Sequence, residues 1–151
     1  MAEACLVDTN VLVRCMVPAD PLAPVAREAV RRMGLEGDSL CLATQNLVEL
    51  WAVATRPVTA NGLGLAVSQA AEELRRLQSL MAVVHEKPDT FALWFDLASR
   101  VGVAGRQAHD ARLAAVMLTN SISRILTFNT YDFVRFPGVT VIHPRDAVAR
   151  R

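Results

Sequence analysis

Short apolar runs alternate along the chain with longer segments in which apolar residues recur every three or four positions. The short runs have the length and composition of buried strands, and the recurrent spacing is typical of amphipathic helices. Strands are predicted at residues 4–7, 38–44, 81–85, 123–128 and 139–144. Because a helical segment separates each strand from the next, the pattern predicts a mostly parallel sheet with helices on both faces.

Residues that start or stop helices bound the helical segments. Pro18 and Pro57 each follow a predicted helix, since proline cannot continue one. Asp89 and Thr90 are start signals for another helix, and Gly102 is its stop signal. Helices are predicted at residues 10–17, 21–33, 45–56, 65–80, 87–102, 109–121 and 129–136. The last predicted element of the chain is the strand at 139–144.

Composition limits the class of protein. The 151 residues fit a single domain, 1–151, and a hydrophobic content of 52% allows a sizeable core. A net charge of +1 is too balanced to steer the whole molecule onto a polyanion. A nucleic-acid role would therefore need a local basic patch, or metal ions that neutralise the phosphates.

The cysteines and the absence of targeting patterns indicate a compartment. Cys5, Cys15 and Cys41 lie unclustered inside apolar runs, which argues against a disulfide framework and against a zinc site. They are expected to be small core residues in a reducing compartment. With no signal-peptide pattern and no apolar stretch of membrane-spanning length, we expect a soluble cytoplasmic protein.

Asp8 interrupts the apolar sequence "LVDTNV" at the end of the first predicted strand. In parallel α/β sheets, ligand sites form at the carboxyl ends of the strands, and this position suits a site residue. Aspartate is also a good N-cap for the helix that follows. Position alone leaves both interpretations open.

Asp110 gives a stronger signal of function. On its predicted helix it shares a face with Leu113, Ala114 and Met117, which is the face that a helix turns toward its core. An acid in the first turn is also favoured by the helix dipole, but such acids usually point outward. An inward-pointing carboxylate with no charged neighbour on its stripe favours a functional role.

Two other polar groups are weaker in isolation. Glu49 belongs to a stripe with Gln45, Asn46 and Arg56, and such a stripe by itself predicts a face turned toward water. Asn129 follows the fourth strand, and Asp132 lies three residues later, where the acid of a capping box belongs. A structural role for both is as plausible as a functional one.

The four positions together indicate a metal site. Asp8 and Asn129 follow strands, whereas Glu49 and Asp110 lie on helices. Three carboxylates that converge on one crevice repel one another, and a divalent cation removes the conflict. An all-oxygen set without histidine or cysteine selects Mg²⁺ or Mn²⁺ over zinc. Such a cation suits phosphoryl chemistry, because it polarises the phosphate and activates water.

The segments "LVDTNV", "NLVELW", "HDARLAA" and "LTFNTYDF", in this order, closely resemble the PIN domain, and most closely the VapC-type toxins of toxin–antitoxin pairs. The resemblance spans nearly the whole chain. It implies a three-layer α/β/α sandwich and a Mg²⁺-dependent endoribonuclease, with Mn²⁺ as a substitute ion. It implies that Asp8, Glu49 and Asp110 are the catalytic acids and metal ligands, with Thr9 and Asn10 capping the helix. It also implies an RNA substrate, a homodimer and a small antitoxin partner.

The fourth acidic position of the PIN pattern falls on Asn129. A neutral amide there would hold a second ion more weakly, so one or two ions are expected. Asp132 is expected to be mainly structural, or to approach the metal through a water. Asn10 and Thr127 match polar positions that hydrogen-bond the ligands in such sites.

Candidate substrate contacts follow from nearness in sequence to the acids. His109 adjoins Asp110, and the arginines nearest the acids could bind the RNA backbone or an acidic antitoxin tail: Arg14, Arg56, Arg106 and Arg112. Aromatic residues at helical spacing are expected to be core or dimer contacts: Trp51, Phe91, Trp94 and Phe95. Two alternatives stay open. One is a PIN nuclease of RNA processing or of structured DNA, and the other is a binding module with a degenerate metal site.

Overall fold

Five strands form one sheet in the computed structural model, which describes residues 2–150. Every adjacent pair is parallel, and the order is β3–β2–β1–β4–β5. The strands are β1 (Ala4–Val7), β2 (Ser39–Ala43), β3 (Ala82–Val84), β4 (Arg124–Leu126) and β5 (Thr140–Ile142). The predicted parallel sheet is confirmed.

Helices connect all the strands. They are α1 (Thr9–Met16), α2 (Ala23–Leu35), α3 (Thr44–Thr55), α4 (Val67–Leu80), α5 (Thr90–Val101), α6 (Gln107–Thr119), α7 (Thr130–Val134) and α8 (Pro144–Ala149). A single 3₁₀ turn, Val58–Ala60, follows α3.

Helix α8 was not predicted, although its start signals are present. Pro144 occupies the first turn, and the Nδ1 atom of His143 accepts a hydrogen bond from the N–H of Arg145 at 3.1 Å. Ala147 is fully buried, and Arg32 of α2 donates to the carbonyl of Val148 at 2.6 Å. Contacts with α2 therefore stabilise a helix that is too short for its hydrophobic period to be read from sequence.

Side chains alternate across the sheet and supply two cores. Along β1, Cys5 and Val7 join the core formed with α1, α2, α3, α4 and α8, whereas Leu6 joins the core formed with α5, α6 and α7. The molecule is thus the three-layer α/β/α sandwich that was predicted. Among residues 2–150, no helix is both long and apolar enough to cross a membrane.

The register of the central strands places the functional residues. Val7 of β1 pairs with Leu126 of β4, so both strands reach the same edge of the sheet. The N–H of Asp8 donates to the Leu126 carbonyl at 3.0 Å, which extends the ladder by one residue. The residues that follow these two strands therefore lie side by side.

Two of the three aromatic residues of α5 do not join the core, whereas Trp94 packs against it. Phe91 and Phe95 are 70% and 60% exposed, and their rings lie 6.3 Å apart between centroids. Trp94 is half-buried and donates its indole N–H to the Ala108 carbonyl at 2.9 Å. The expectation of a core role was wrong for Phe91 and Phe95, because α5 turns these two positions away from α6.

Candidate active site

Asp8 uses its two carboxylate oxygens differently. Oδ1 accepts a hydrogen bond from the N–H of Thr9 at 2.8 Å and so caps α1. Oδ2 accepts from the Thr127 hydroxyl at 2.8 Å and from the Asn10 amide at 3.2 Å. The cap and the site residue are therefore the same side chain, and Asp8 does the capping that was expected of Thr9 and Asn10.

The environment of Asp8 disfavours its charge. Its side chain is buried, with 8% of the residue exposed. Burial raises the pKa of the carboxyl to about 6, although the hydrogen bonds from Thr127 and Thr9 lower it. The charges of Glu49 and Asp110 raise it further. A cation close to Asp8 would remove this penalty.

Glu49 lies half-buried beside Asp8, held by two hydrogen bonds. Its Oε2 accepts from the Thr9 hydroxyl at 2.8 Å, and its Oε1 accepts from the Gln45 amide at 2.9 Å. Gln45 also donates to the His109 carbonyl at 3.0 Å, which ties α3 to the first turn of α6. Thr9 and Gln45 therefore fix the direction of the Glu49 carboxylate.

The expectation that the polar stripe of α3 faces water was wrong for Gln45 and Asn46, which face the interior, whereas Arg56 is exposed as expected. Gln45 is 9% exposed and Asn46 is fully buried. Asn46 accepts from the N–H of Ala43 at 2.9 Å and donates to the Thr9 hydroxyl at 3.3 Å. Both amide atoms of Asn46 are therefore paired, whereas Gln45 uses only its nitrogen and leaves Oε1 buried without a hydrogen-bond partner within residues 2–150. A helical period alone cannot reveal such tertiary contacts.

Asp110 occupies the first turn of α6 with its side chain 30% exposed. Burial raises its pKa to about 6, and the charge of Asp132 is the next largest cause. The guanidinium of Arg135 lies 3.8 Å from Oδ2 and acts in the opposite direction, but this distance is too long for a hydrogen bond. Asp110 is thus another carboxylate whose charge is poorly compensated.

The face that carries Asp110 is buried as predicted, with Leu113, Ala114 and Met117 almost inaccessible. However, Ala115 and Val116 on the other side are buried too. Helix α6 is enclosed by α5, α7 and the sheet on most of its circumference. The predicted burial of this face is therefore confirmed, and the functional role of Asp110 stays a prediction. The helix is less amphipathic than the argument assumed.

Asp132 places a further carboxylate near Asn129 at the carboxyl edge of the sheet. Both side chains line the same cleft as Asp8 and Asp110. The predicted capping box does not form, because Asn129 makes no side-chain cap to α7 and is joined to Asp132 only through the backbone. The expected capping box was therefore wrong. A mainly structural role of Asp132 and the loss of a charge at Asn129 stay predictions.

A cleft of about 670 Å³ at the carboxyl edge of the sheet brings most of the predicted residues together. It is lined by Asp8, Asn10, Glu49, Arg106, His109, Asp110, Asn129 and Asp132, with Arg14 and Asp20 at the α1 side. Thr127 is fully buried beneath it, where its hydroxyl holds Asp8. Arg112 does not line the cleft, and its Nε lies 2.5 Å from Oε1 of Glu86 on the surface.

Comparison with known families decides the class of this fold. The model of the PIN domain family matches residues 5–139, which is most of the chain. The chain belongs to the PIN domain family. The curated proteins contain no match to it.

Solved structures with the same fold as this PIN domain include three bacterial complexes. VapBC-1 from nontypeable Haemophilus influenzae has 17% identity and a TM-score of 0.71, with 95% of this chain and 99% of that chain covered. DNA-bound VapBC from Salmonella typhimurium has 18% identity and a TM-score of 0.69, with coverages of 95% and 99%. FitAcB from Neisseria gonorrhoeae has 20% identity and a TM-score of 0.67, with coverages of 93% and 98%. These likenesses show the PIN fold.

The donor set of this PIN domain fits a hard divalent cation. Asp8, Glu49, Asp110 and Asp132 offer only carboxylate oxygens, and the pKa values of Asp8 and Asp110 are raised to about 6. Within residues 2–150, no three such side chains lie close enough to hold a metal as they stand. The positive charge of a bound ion would offset the mutual repulsion of the acids.

Three residues of the PIN domain site were missed by sequence reasoning. Gln45 was assigned to a solvent-facing stripe, and Asp20 was not considered. Arg135 lies three residues after Asp132, a spacing that places both on one side of α7, and this signal was available. Its Nε donates to the Asp132 carbonyl at 3.1 Å, which holds the guanidinium near Asp110.

Proposed function

We propose that this PIN domain, acting as a single domain of residues 1–151 in the cytoplasm, is a Mg²⁺-dependent endoribonuclease and the toxin of a VapBC-type pair. The observation that carries the proposal is the convergence of Asp8, Glu49, Asp110 and Asp132 on one open cleft. Their charges are opposed by burial and by one another, as in a site built for a divalent cation. Membership of the PIN family and the shared fold with VapBC proteins support the same activity.

In the proposed reaction, Asp8 and Asp110 would hold the ion, and Glu49 would either hold it or orient the attacking water as a base. Bound Mg²⁺ or Mn²⁺ would supply Lewis-acid activation of the phosphate and of water. Thr127 and Asn10 donate hydrogen bonds that hold the Asp8 carboxylate in place. Gln45 and Thr9 orient the Glu49 carboxylate in the same way. In-line attack with loss of the 3′ oxygen gives a product with a 5′-phosphate.

Asp132 bears on the number of ions. With a fourth carboxylate beside Asp110, the far side of the cleft keeps the charge that a second ion needs. The guanidinium of Arg135 already lies on that side and competes with such an ion. We therefore propose one tightly held ion and a second that binds only together with the substrate phosphate.

The proposed partners are a small antitoxin and a second copy of this chain. The exposed rings of Phe91 and Phe95, with Trp94 5.6 Å from Phe91 between centroids, supply the apolar surface that supports a homodimer. The change Phe91→Ala should shift the mass in solution from dimer to monomer, as light scattering after gel filtration would measure. A monomeric wild-type protein would contradict the dimer.

The deciding experiment is cleavage of RNA by the purified protein with Mg²⁺, Mn²⁺ or a chelator. We expect metal-dependent products with 5′-phosphate ends, and loss of cleavage in Asp8→Asn. The matched control is Asp146→Asn, which makes the same change on exposed α8 away from the cleft and should leave cleavage intact. Metal-independent cleavage, or an active Asp8→Asn variant, would contradict the assignment.

Expression tests the biological part of the proposal. Induction of the chain alone should arrest growth and create new RNA 5′ ends, and co-expression with the small protein encoded beside it should suppress both. If arrest persists in Asp8→Asn, or if no new ends arise, the toxin assignment is wrong. A preference for structured DNA over RNA in the purified reaction would favour the alternative PIN nuclease.

A further inference from the structure

Arg14 and Asp20 form an ion pair in the wall of the cleft. Arg14 lies in the last turn of α1, and Asp20 lies in the loop that leads to α2. Nη1 of Arg14 is 2.9 Å and 3.1 Å from the two carboxylate oxygens of Asp20. Both residues line the cleft that contains the four acids, so the pair is part of the surface that a substrate meets.

The guanidinium of Arg14 is held in place but its donors are only partly used. It lies 5.1 Å from the centroid of the Phe128 ring, between Thr127 and Asn129 in sequence. Within residues 2–150, Nε is buried without a hydrogen-bond partner, and Asp20 engages Nη1 alone. Because Nε is buried, an anion in the cleft can reach only Nη1 and Nη2, and a phosphate that engages both would bind better than a carboxylate that engages Nη1 alone.

Asp20 is fixed independently of Arg14. Its Oδ1 accepts from the N–H of Leu22 at 2.8 Å, which ties the carboxylate to the loop before α2. The Asp20 side chain is 20% exposed and that of Arg14 is 35% exposed. A pair at this exposure is held weakly in water, so another anion can replace the carboxylate at small cost.

The other cations of the cleft differ from Arg14. Arg106 stands at the start of α6, in the opposite helical layer, and forms no ion pair within residues 2–150. Around Arg14, the apolar side chains of Val13 and Val53 line the same wall. A charged group beside apolar side chains suits a nucleotide, whose phosphate and sugar present both characters.

We propose that Arg14 is a phosphate subsite for single-stranded RNA, and that Asp20 is an internal counter-ion which the RNA phosphate displaces. The phosphate bound there is not the scissile one, because Arg14 and the four acids line different parts of one cleft. This inference rests on the proposed nuclease function. Asp20 then lowers affinity for RNA and sets how readily short or weakly bound strands are cut.

The test is the kinetics of cleavage of a labelled RNA oligonucleotide in Mg²⁺ by wild type, Asp20→Asn, Arg14→Ala and the double variant. Asp20→Asn should lower KM by up to about fivefold with kcat unchanged, because the competing charge is gone. The asparagine keeps an acceptor for the Leu22 N–H, so the loop is preserved. Arg14→Ala should raise KM about tenfold, and the double variant should match it, since no arginine is left to release.

The control is Asp96→Asn, which removes a carboxylate paired to Arg100 on α5, outside the cleft. It should leave KM unchanged, although it alters the net charge by the same amount. The slope of log KM against log salt should be smaller in Arg14→Ala by about 0.7, which is one phosphate contact on a single strand.

Separate outcomes distinguish the two proposals. If wild type cleaves no RNA in Mg²⁺ or Mn²⁺, the proposed function fails and this subsite fails with it. If wild type is active but Asp20→Asn leaves or raises KM, or Asp96→Asn lowers it equally, the subsite alone is overturned. If Asp20→Asn does not fold, the test rests on Arg14→Ala alone. The subsite is then overturned if Arg14→Ala has the same KM and the same salt slope as wild type.

Discussion

The amino end and the carboxyl end of the sheet both hold acidic side chains, but their surroundings differ. At the amino end, Arg124 of β4 donates to Asp38 at 2.8 Å and to Glu3 at 2.9 Å. At the carboxyl end, the nearest arginine to Asp110 lies 3.8 Å away, and Asp8 receives only neutral donors within residues 2–150. The acids at the amino end of the sheet are therefore paired with an arginine, whereas the negative charges at the carboxyl end are not neutralised.

This difference separates a structural use of charge from a functional one. A partly buried acid with an arginine partner stays charged without further help. The carboxyl-end acids lack such a partner, and the pKa values of Asp8 and Asp110 are raised to about 6. Keeping these acids ionised at neutral pH lowers the free energy of unfolding, and binding of a cation raises it again.

The largest expected effect comes from replacing one aspartate by asparagine at each end of the sheet, Asp110 at the carboxyl end and Asp38 at the amino end. Asp110→Asn should lower RNA cleavage by more than about a hundredfold, because even partners of metal ligands contribute ten- to a hundredfold. Asp38→Asn should leave cleavage near wild type and lower the free energy of unfolding by about 1–3 kcal/mol, because Arg124 loses a charged partner. Initial rates and urea unfolding measure the two effects, and equal losses of activity would remove the contrast.

A smaller effect should follow from the residue that holds Asp8. Thr127→Val keeps the shape of the side chain but removes the donor to Asp8 and the acceptor for the Asn10 amide and the Asn129 N–H. Cleavage and Mg²⁺ affinity should fall about ten- to a hundredfold. Thr127→Ser restores the hydroxyl and should recover most of both, whereas failure of serine to rescue would point to packing instead.

The smallest effect concerns stability against pH without metal. Raised pKa values mean that folded Asp8 and Asp110 bind protons more tightly than the unfolded chain does. Stability from these groups is therefore greatest near pH 4 and falls as the pH rises toward about 6, by on the order of 2 kcal/mol for Asp8 and less for the more exposed Asp110. Urea unfolding in a chelator measures this, and Asp110→Asn should weaken the pH dependence.

Added Mg²⁺ should restore stability at pH 7 more than at pH 5, since the ion binds the ionised acids. The comparison between the two pH values is the control for general salt effects, which act at both. A metal-free protein whose stability rises steadily from pH 4 to pH 7 would show that the carboxyl-end acids are not strained by their charge.

The order of the strands in the sheet was not predicted. The rest of the fold was largely predictable, because strand length and helical period are local properties of the sequence. Helix α8 was missed because it is one and a half turns long and depends on α2. The stripe containing Gln45 and Asn46 was assigned to solvent because its partners belong to α1, β2 and α6. Burial of a polar side chain is a tertiary property that a single helix does not encode.

The acids of the cleft were predicted except for Asp20, but its basic residues were predicted only in part. Arg14, Arg106 and His109 line the cleft as expected, whereas Arg112 does not. Arg112 lies two residues from Asp110, yet residues at that spacing on a helix face different directions, and Arg112 pairs with Glu86. Arg135 is far away in sequence and lies beside Asp110 in space. Asp132 was ambiguous because the same spacing fits a capping box and a cleft-facing acid, and only the cleft distinguishes them.

The central claim is that the unneutralised acids at the carboxyl end of the sheet bind a divalent cation. The most direct test is calorimetric titration with Mg²⁺ and Mn²⁺ at pH 6 and pH 8, in buffers of different ionisation enthalpy. Near pH 6, binding should release protons, because Asp8 and Asp110 have pKa values of about 6 and must ionise to bind the ion. At pH 8 the release should vanish, and Asp110→Asn should weaken binding while Asp38→Asn should not. Absence of binding, or binding without proton release at pH 6, would contradict the account.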